Sequence, residues 1–287
     1  MFLSLLHVNV GDNPDRDQPG RHWLRDIYRV HQRLWMAFPD PKRREKDPFF
    51  LGTWNDNSNA VPKPPRRESG FLFRIERDGH PRILVQSAKQ PDWDYAFQNA
   101  PYLLASDPDH RPKVRAFDPA PCRDQAYRFR LLANVVSSKN VVRPNGKMRT
   151  TRAGLTIPCR RRTEIPIYPD LIPDPLPDDP VERKELLLAR WEPWRKWLDH
   201  LGSRHGFRVE PAPPLSMEAV HTFVCNPGKD GGGFNQAAPT AKRYNSGLFD
   251  GVLVCTDPDR LRDAVIVGLG HAKAFGFGLL SVAPISS

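Results

Sequence analysis

The sequence predicts an α+β fold of two tandem ferredoxin-like (βαββαβ) domains with long loop insertions, and three observations point to it. Apolar runs with period two mark strands. Stretches with an apolar stripe at helical spacing mark helices. Along the 287 residues the two kinds succeed one another in the order βαββαβ, and then in that order again. The duplication is one of architecture, because no short-period repeat of sequence accompanies it.

In the first unit, "FLSLLHVNV" (2–10) alternates as a strand. A helix follows from about Arg21 to Phe38 and ends at "FPDP", since proline disfavours helical geometry in the residue before it. Residues 39–68 lack apolar periodicity and read as a long basic loop. "GFLFRIERDGHPRILVQSA" (70–88) is a hairpin around an Asp-Gly turn. "PDWDYAFQNAPYLL" is a short helix and "PKVRAFDP" a short strand. In the second unit, "AYRFRLLANVV" (126–136) is a strand, and Ser137 to Thr163 is basic and irregular. "IYPDLIPDPLPDDP" is a surface linker. The helix "VERKELLLARWEPWRKWLDHLGSRHG" is expected to be interrupted at Pro193 and to end at Gly206. "EAVHTFVCN" and "SGLFDGVLVCT" are strands, and "DPDRLRDAVIVGLG" is a helix capped by Thr256 or Asp257 with Pro258 in its first turn. "FGFGLLSVAP" is the last strand. The domains are therefore placed at 1–121 and 122–287.

Composition narrows the function classes. Hydrophobic residues are 39% and charged residues 26%, values of a folded chain, and the net charge of +10 favours a polyanionic partner. An arginine-rich soluble protein without such a partner is the plain alternative. No stretch is long and apolar enough for a membrane helix, and "MFLSLLHVNV" lacks the basic flank and cleavage site of a signal peptide. Cys122, Cys159, Cys225 and Cys255 are scattered without zinc spacing, so they are expected to be reduced, the protein cytoplasmic, and metal and cofactor absent.

Three constellations carry chemistry. In "RDIYRVHQRLW" (25–35), Ile27, Val30, Leu34 and Phe38 share one helix face while Arg25, Arg29 and Arg33 lie on the other. His31 falls at the border, one turn after Tyr28, where it is either a packing residue or an acid–base group. In "GLGHAKAFGFGLLSVAP" (268–284), Gly268, Gly270, Gly276 and Gly278 surround Lys273. Such a loop brings backbone amides close to an anion. It follows a helix C-terminus, where the dipole is wrong for a nucleotide cradle, so a polyanion backbone fits better. A tight helix-to-strand connection is the structural alternative. The run from Lys139 to Arg162 holds Lys139, Arg143, Lys147, Arg149, Arg152, Arg160 and Arg161 with almost no acidic residues. It can track successive phosphates or simply form a solvated basic loop.

The blocks "RDIYRVHQRLW", "GFLFRIE", "ILVQSA", "YRFRLLAN", "FDGVL" and "GLGHAKAFGFGLLSVAP", in that order, resemble the CasE family. These are the CRISPR repeat-processing endoribonucleases of type I-E Cascade, with RAMP-like tandem ferredoxin folds. The family's Y-x-x-H falls on Tyr28 and His31, and its G-x-G-x-A-K-x-x-G-x-G on Gly268 to Gly278. The loops near 39–68 and 170–215 exceed the family core, "ANVV" stands where Asn-Pro is expected, and His271 is an extra histidine in the glycine-rich block.

The resemblance implies metal-independent cleavage of a CRISPR repeat hairpin in precursor RNA. A 2′-hydroxyl attacks the adjacent phosphate and leaves a 2′,3′-cyclic phosphate. It assigns catalysis to Tyr28 and His31, RNA contacts to the glycine-rich block with Lys273, and partnership to the processed crRNA and other Cascade subunits. A catalytically inactive hairpin-binding subunit of the same fold, and an unrelated ferredoxin-like enzyme acting on a small phosphorylated substrate, are the competing expectations.

Overall fold

The computed structural model describes residues 1–13, 15–38, 70–141, 149–150, 156–157, 159–165, 178–211, 215–224 and 242–285. The first unit comprises β1 (Phe2–His7), α1 (Pro19–Arg25), α2 (Ile27–Trp35), β2 (Phe71–Glu76), β3 (Arg82–Ser87), α3 (Trp93–Phe97) and β4 (Lys113–Ala116). Its strands form one antiparallel sheet in the order β2-β3-β1-β4. Strand alternation sends Leu6, Phe73, Ile83 and Val85 to the face covered by the helices, where they meet Val30 and Leu34. The opposite face presents Leu72, Arg74 and Gln86 toward the second unit.

The single helix expected from Arg21 to Phe38 is two helices, broken at Asp26. Asp26 takes a non-helical backbone (φ −102°, ψ 88°), and its carboxylate accepts from the amides of Tyr28 and Arg29, both at 3.1 Å. A short carboxylate side chain competes with the backbone for these amides and starts a new helix there. α2 ends at Trp35 rather than Phe38, because its last amides turn back to Arg33 and Leu34.

The second unit repeats the plan. Its elements are β5 (Ala126–Asn134), the ribbon strands β6 (Val136–Val141), β7 (Arg149–Thr150), β8 (Thr156–Ile157) and β9 (Cys159–Glu164), and α4 (Pro180–His205). They continue with β10 (Phe207–Val209), β11 (Ser216–Val224), β12 (Lys242–Cys255), α5 (Pro258–Val267) and β13 (Leu280–Pro284). β12 lies beside β5, β13 lies outside β5, and β10 and β11 share the far edge of β12. With β10 and β11 counted as one broken strand, the order matches that of the first sheet, which gives the tandem ferredoxin-like fold. The last strand begins at Leu280, not Phe275, since Lys273–Phe275 closes a 3-10 turn. Asp257 is the α5 cap, accepting from the Arg260 amide.

Two expectations fail here for physical reasons. α4 runs through Pro193 without interruption. A proline inside a helix costs about 3 kcal/mol, but the turns beside and after it are anchored. Trp194 and Leu198 are fully buried, and the indole N–H groups of Trp194 and Trp197 donate to the Ile165 and Val136 carbonyls at 3.0 and 3.2 Å. The stretch 137–163 is not irregular throughout. β6 pairs with β9, and β7 with β8, as antiparallel ribbons. The basic loop at 39–68, the glycine-rich turn at 231–233 and most of the proline-rich linker lie outside the described residues.

The units are joined by buried polar chemistry. From β2, the Arg74 guanidinium donates to the Arg130 and Leu279 carbonyls at 3.0 Å and to Ser281 Oγ at 3.1 Å, and pairs with Glu76. Arg130 in turn binds Glu76 and Asp78 at 2.9 Å and Asp250 at 2.7 Å. Gln86 donates to the Val265 carbonyl at 2.6 Å.

Candidate functional site

The fold brings α2 and the glycine-rich loop to the same end of β2. His31 points from α2 into an aromatic enclosure on that strand. Its ring stacks on Phe71 with centroids 5.1 Å apart, and lies 6.1 Å from Phe73 and 6.0 Å from Trp35. Its Nδ1 is shielded from water with no hydrogen-bond partner among the described residues. Burial pushes the imidazole down to about 4, because the enclosure solvates the charged form poorly. His31 is therefore neutral near pH 7, with one ring nitrogen able to accept a proton and the other to donate. Tyr28 stands one turn earlier, in the first turn of α2 that Asp26 caps.

Between α5 and β13 the glycine-rich loop folds back on itself. Leu269 N–H donates to the Gly278 carbonyl at 2.8 Å, and Gly278 N–H donates to the Leu132 carbonyl at 2.7 Å. Gly278 has φ +88°, and a Cβ there would stand 2.2 Å from the Leu269 carbonyl oxygen. Gly268 has φ +77°, and its Cβ would meet Leu72 at 2.7 Å. Packing alone requires glycine at these two positions. Gly270 has φ +72° as well, but no described residue lies within 4 Å of where its Cβ would stand. Gly276 lies against the Phe73 ring, the same ring that borders His31. The Lys273 ammonium donates to the Val267 and Gly268 carbonyls at 2.7 and 2.8 Å, holding the negative end of α5. His271 is part-exposed in the same loop.

The basic run is only partly described. Lys139 lies opposite Arg161 in the β6–β9 register, Arg160 lies opposite Asn140, and Arg149 lies opposite Ile157. Arg143, Lys147 and Arg152 lie outside the described residues. The ribbon leaves the end of β5 just beyond Leu132, whose carbonyl receives the Gly278 amide. Among the described residues no group of three or more His, Cys, Asp or Glu is arranged to hold a metal ion, and no helix is long and apolar enough to cross a membrane.

Sequence reasoning missed the enclosure itself. Phe71 and Phe73 had a signal in "GFLF", two aromatics on alternate positions of a strand, but a core strand looks the same. Asp26 was also missed, although an aspartate just ahead of an apolar-periodic run is a cap signal.

Comparison with known proteins shows the family. The profile of a family described as CRISPR associated protein matches residues 1–284. The chain belongs to that family. Among its relatives, the CRISPR system Cascade subunit CasE of Escherichia coli (strain K12) is 24% identical over 269 residues, covering 92% of this chain and 96% of the relative. The CRISPR-associated endoribonuclease Cse3 of Thermus thermophilus is 26% identical over 207 residues, 71% of this chain and 74% of the relative. A structure of CRISPR endoribonuclease Cse3 bound to a 19-nucleotide RNA shares the fold, with a TM-score of 0.55 and 23% identity, covering 99% of this chain and 100% of that one. The CasE resemblance read from the sequence blocks agrees with these matches.

Proposed function

We propose that this family member is a metal-independent endoribonuclease of the cytoplasm that binds the repeat hairpin of CRISPR precursor RNA, cuts it, and stays on the product as a Cascade subunit. The observation that carries the reading is His31, neutral and with a ring nitrogen unpartnered among the described residues, one turn after Tyr28 and beside the glycine-rich loop. In-line attack by a 2′-hydroxyl needs a proton acceptor, a proton donor for the 5′-leaving oxygen and stabilisation of the added charge. The neutral imidazole accepts a proton. Arrival of a phosphodiester beside it favours the protonated form, drawing the pKa back toward neutrality, and in that form the ring serves instead as the donor to the leaving oxygen. Tyr28 positions the hydroxyl or phosphate, since its phenol both donates and accepts a hydrogen bond. The loop of Gly268, Gly270, Gly276 and Gly278 with Lys273 lines the phosphate path, glycine letting the RNA backbone come close, and Lys139, Arg143, Lys147, Arg149, Arg152, Arg160 and Arg161 grip the stem backbone, which an A-form helix presents to protein. The catalytic helix belongs to a domain at 1–121 and the grip to one at 122–287.

The test is cleavage of the host's repeat hairpin in EDTA by wild type and His31→Ala. Cyclic-phosphate product from wild type, lost in a variant that still binds, is expected. Equal cleavage by both moves the chemistry away from His31, with His271 next. The apolar enclosure of His31 favours one second reading, a hairpin-holding subunit in which His31 is core; binding without cleavage by either protein would establish it.

A further inference from the structure

At the far end of the first sheet, about 17 Å along the strands from Phe71, five basic groups converge from five segments. His7 closes β1, and Arg82 opens β3 directly opposite it in register. Lys113 opens β4, His80 sits in the β2–β3 turn, and His110 sits in the 3-10 turn Pro108–His110. The His7 and His110 ring centroids are 4.5 Å apart, and His80 stacks on His110 at 6.1 Å. Cross-strand partners project to the same face of a sheet, so His7 and Arg82 lie side by side.

Two nitrogens here lack an explanation. His7 Nδ1 and Arg82 Nε are both shielded and have no hydrogen-bond partner among the described residues. A shielded polar atom left unpaired is costly, and native chains keep few of them. The nearby acids are otherwise engaged. Glu76, opposite Arg82 on β2, gives its two oxygens to Arg74 and Arg130, and Asp78 pairs with Arg130. Asp107 stands 3.5 Å from His110 Nδ1. His80 Nε2 donates to the Val8 carbonyl at 2.8 Å, which holds the ring in the cluster. A metal ion is the wrong occupant, because the guanidinium and ammonium groups of Arg82 and Lys113 offer no lone pair to a metal and no described set of ligands is arranged for one.

We propose that His7, Arg82, Lys113, His80 and His110 form a second anion site, built for a tetrahedral oxyanion of the sulfate or phosphate type. His7 and Arg82 donate the unpaired hydrogens, and the other three supply the surrounding charge. Burial and the neighbouring His110, Arg82, His80 and Lys113 hold His7 below the ordinary histidine range. An oxyanion reverses that balance, so its binding takes up protons and tightens as pH falls. This site is independent of the cleavage reading, since no residue is shared with the His31 end of the sheet. The oxyanion comes either from solution or from a phosphodiester of bound RNA, which offers the same tetrahedral oxygens.

Sulfate keeps its charge between pH 5.5 and 7.5 and is the probe. Imidazole resonances of the full-length chain, labelled with 15N-histidine, are followed as sulfate replaces chloride at constant ionic strength. Saturable shifts of His7, His80 and His110 are expected, with His200 unmoved and binding at least about fivefold tighter at pH 5.5 than at 7.5. Arg82→Gln should abolish saturation, and Lys113→Gln, on an exposed strand, should weaken it while leaving the fold intact. Shifts no larger in sulfate than in chloride, or unchanged in Lys113→Gln, would overturn the site. Displacement of sulfate by an unstructured oligouridylate assigns the site to RNA phosphate, and saturation by sulfate without such displacement assigns it to a free oxyanion. A cleavage-dead chain that still binds sulfate would refute the nuclease reading alone.

Discussion

Burial of His31 makes a quantitative demand on stability. In the unfolded chain its imidazole titrates near 6.5, and in the folded chain near 4. Between these values the unfolded state binds more protons, so folding stability rises with pH across this window and is lost as pH falls through it. For one such group the loss from neutrality is about 2 kcal/mol by pH 5 and approaches about 3 kcal/mol below pH 4. His7 is shifted in the same direction and adds to the total slope, so the contribution of His31 has to be isolated by difference. Replacing it with phenylalanine keeps an aromatic ring against Phe71 and removes the titration. Urea unfolding of wild type and His31→Phe at half-unit steps from pH 5 to 7.5 is the assay. The gap between the two should widen by about 2 kcal/mol toward pH 5 in favour of the variant. Parallel pH profiles would refute the claim that the enclosure keeps His31 neutral, and with it the account of how RNA binding tunes the ring.

Three further outcomes are expected. Arg74→Met leaves Glu76 and the Arg130 and Leu279 carbonyls without their shared donor, and should cost about 3–5 kcal/mol in denaturant unfolding, as breaking a buried pair does. Gly278→Ala forces a Cβ against the Leu269 carbonyl at positive φ; it should cost at least about 1–3 kcal/mol and reduce hairpin affinity, whereas Gly270→Ala, strained only by its φ of +72° with no described atom near its Cβ, should cost less, about 1 kcal/mol. Replacing Lys139 and Arg161 with alanine should weaken hairpin binding and flatten its dependence on log salt by about one for each phosphate no longer neutralised, as read by filter binding from 50 to 300 mM salt (roughly the range over which such slopes are measured).

Much of the fold was legible where local chemistry and tertiary packing agree. The Asp-Gly turn gave the β2–β3 hairpin, and Asp257 with Pro258 gave the start of α5. What was lost lies where one level overrides another. Pro193 should break a helix on propensity, yet Trp194 and Leu198 hold it in line through contacts that local sequence does not reveal. The β6–β9 ribbon has charged or polar residues at most positions, so the period-two apolar signal that reveals other strands is absent. β10 is three residues long, too short for any period. At the candidate site, helical spacing placed Tyr28 and His31 a turn apart, and the CasE resemblance suggested a use for them. The ring of Phe71, Phe73 and Trp35 that sets the protonation of His31 draws on α2 and β2, which lie far apart in sequence, and no local pattern signals it.

The latch at Arg74 fixes an order of events during synthesis. A chain emerging from the ribosome builds its first sheet early, but two acceptors of that guanidinium, Leu279 and Ser281, lie 205 and 207 residues further along. Until they arrive, Glu76 is the guanidinium's partner within β2, and the remaining N–H donors lie open beside Leu72 on the rear face of the strand. A nascent chain that stalls before Leu279 thus carries an adhesive half. Completeness of the chain is therefore written on one strand, on the face turned away from α2.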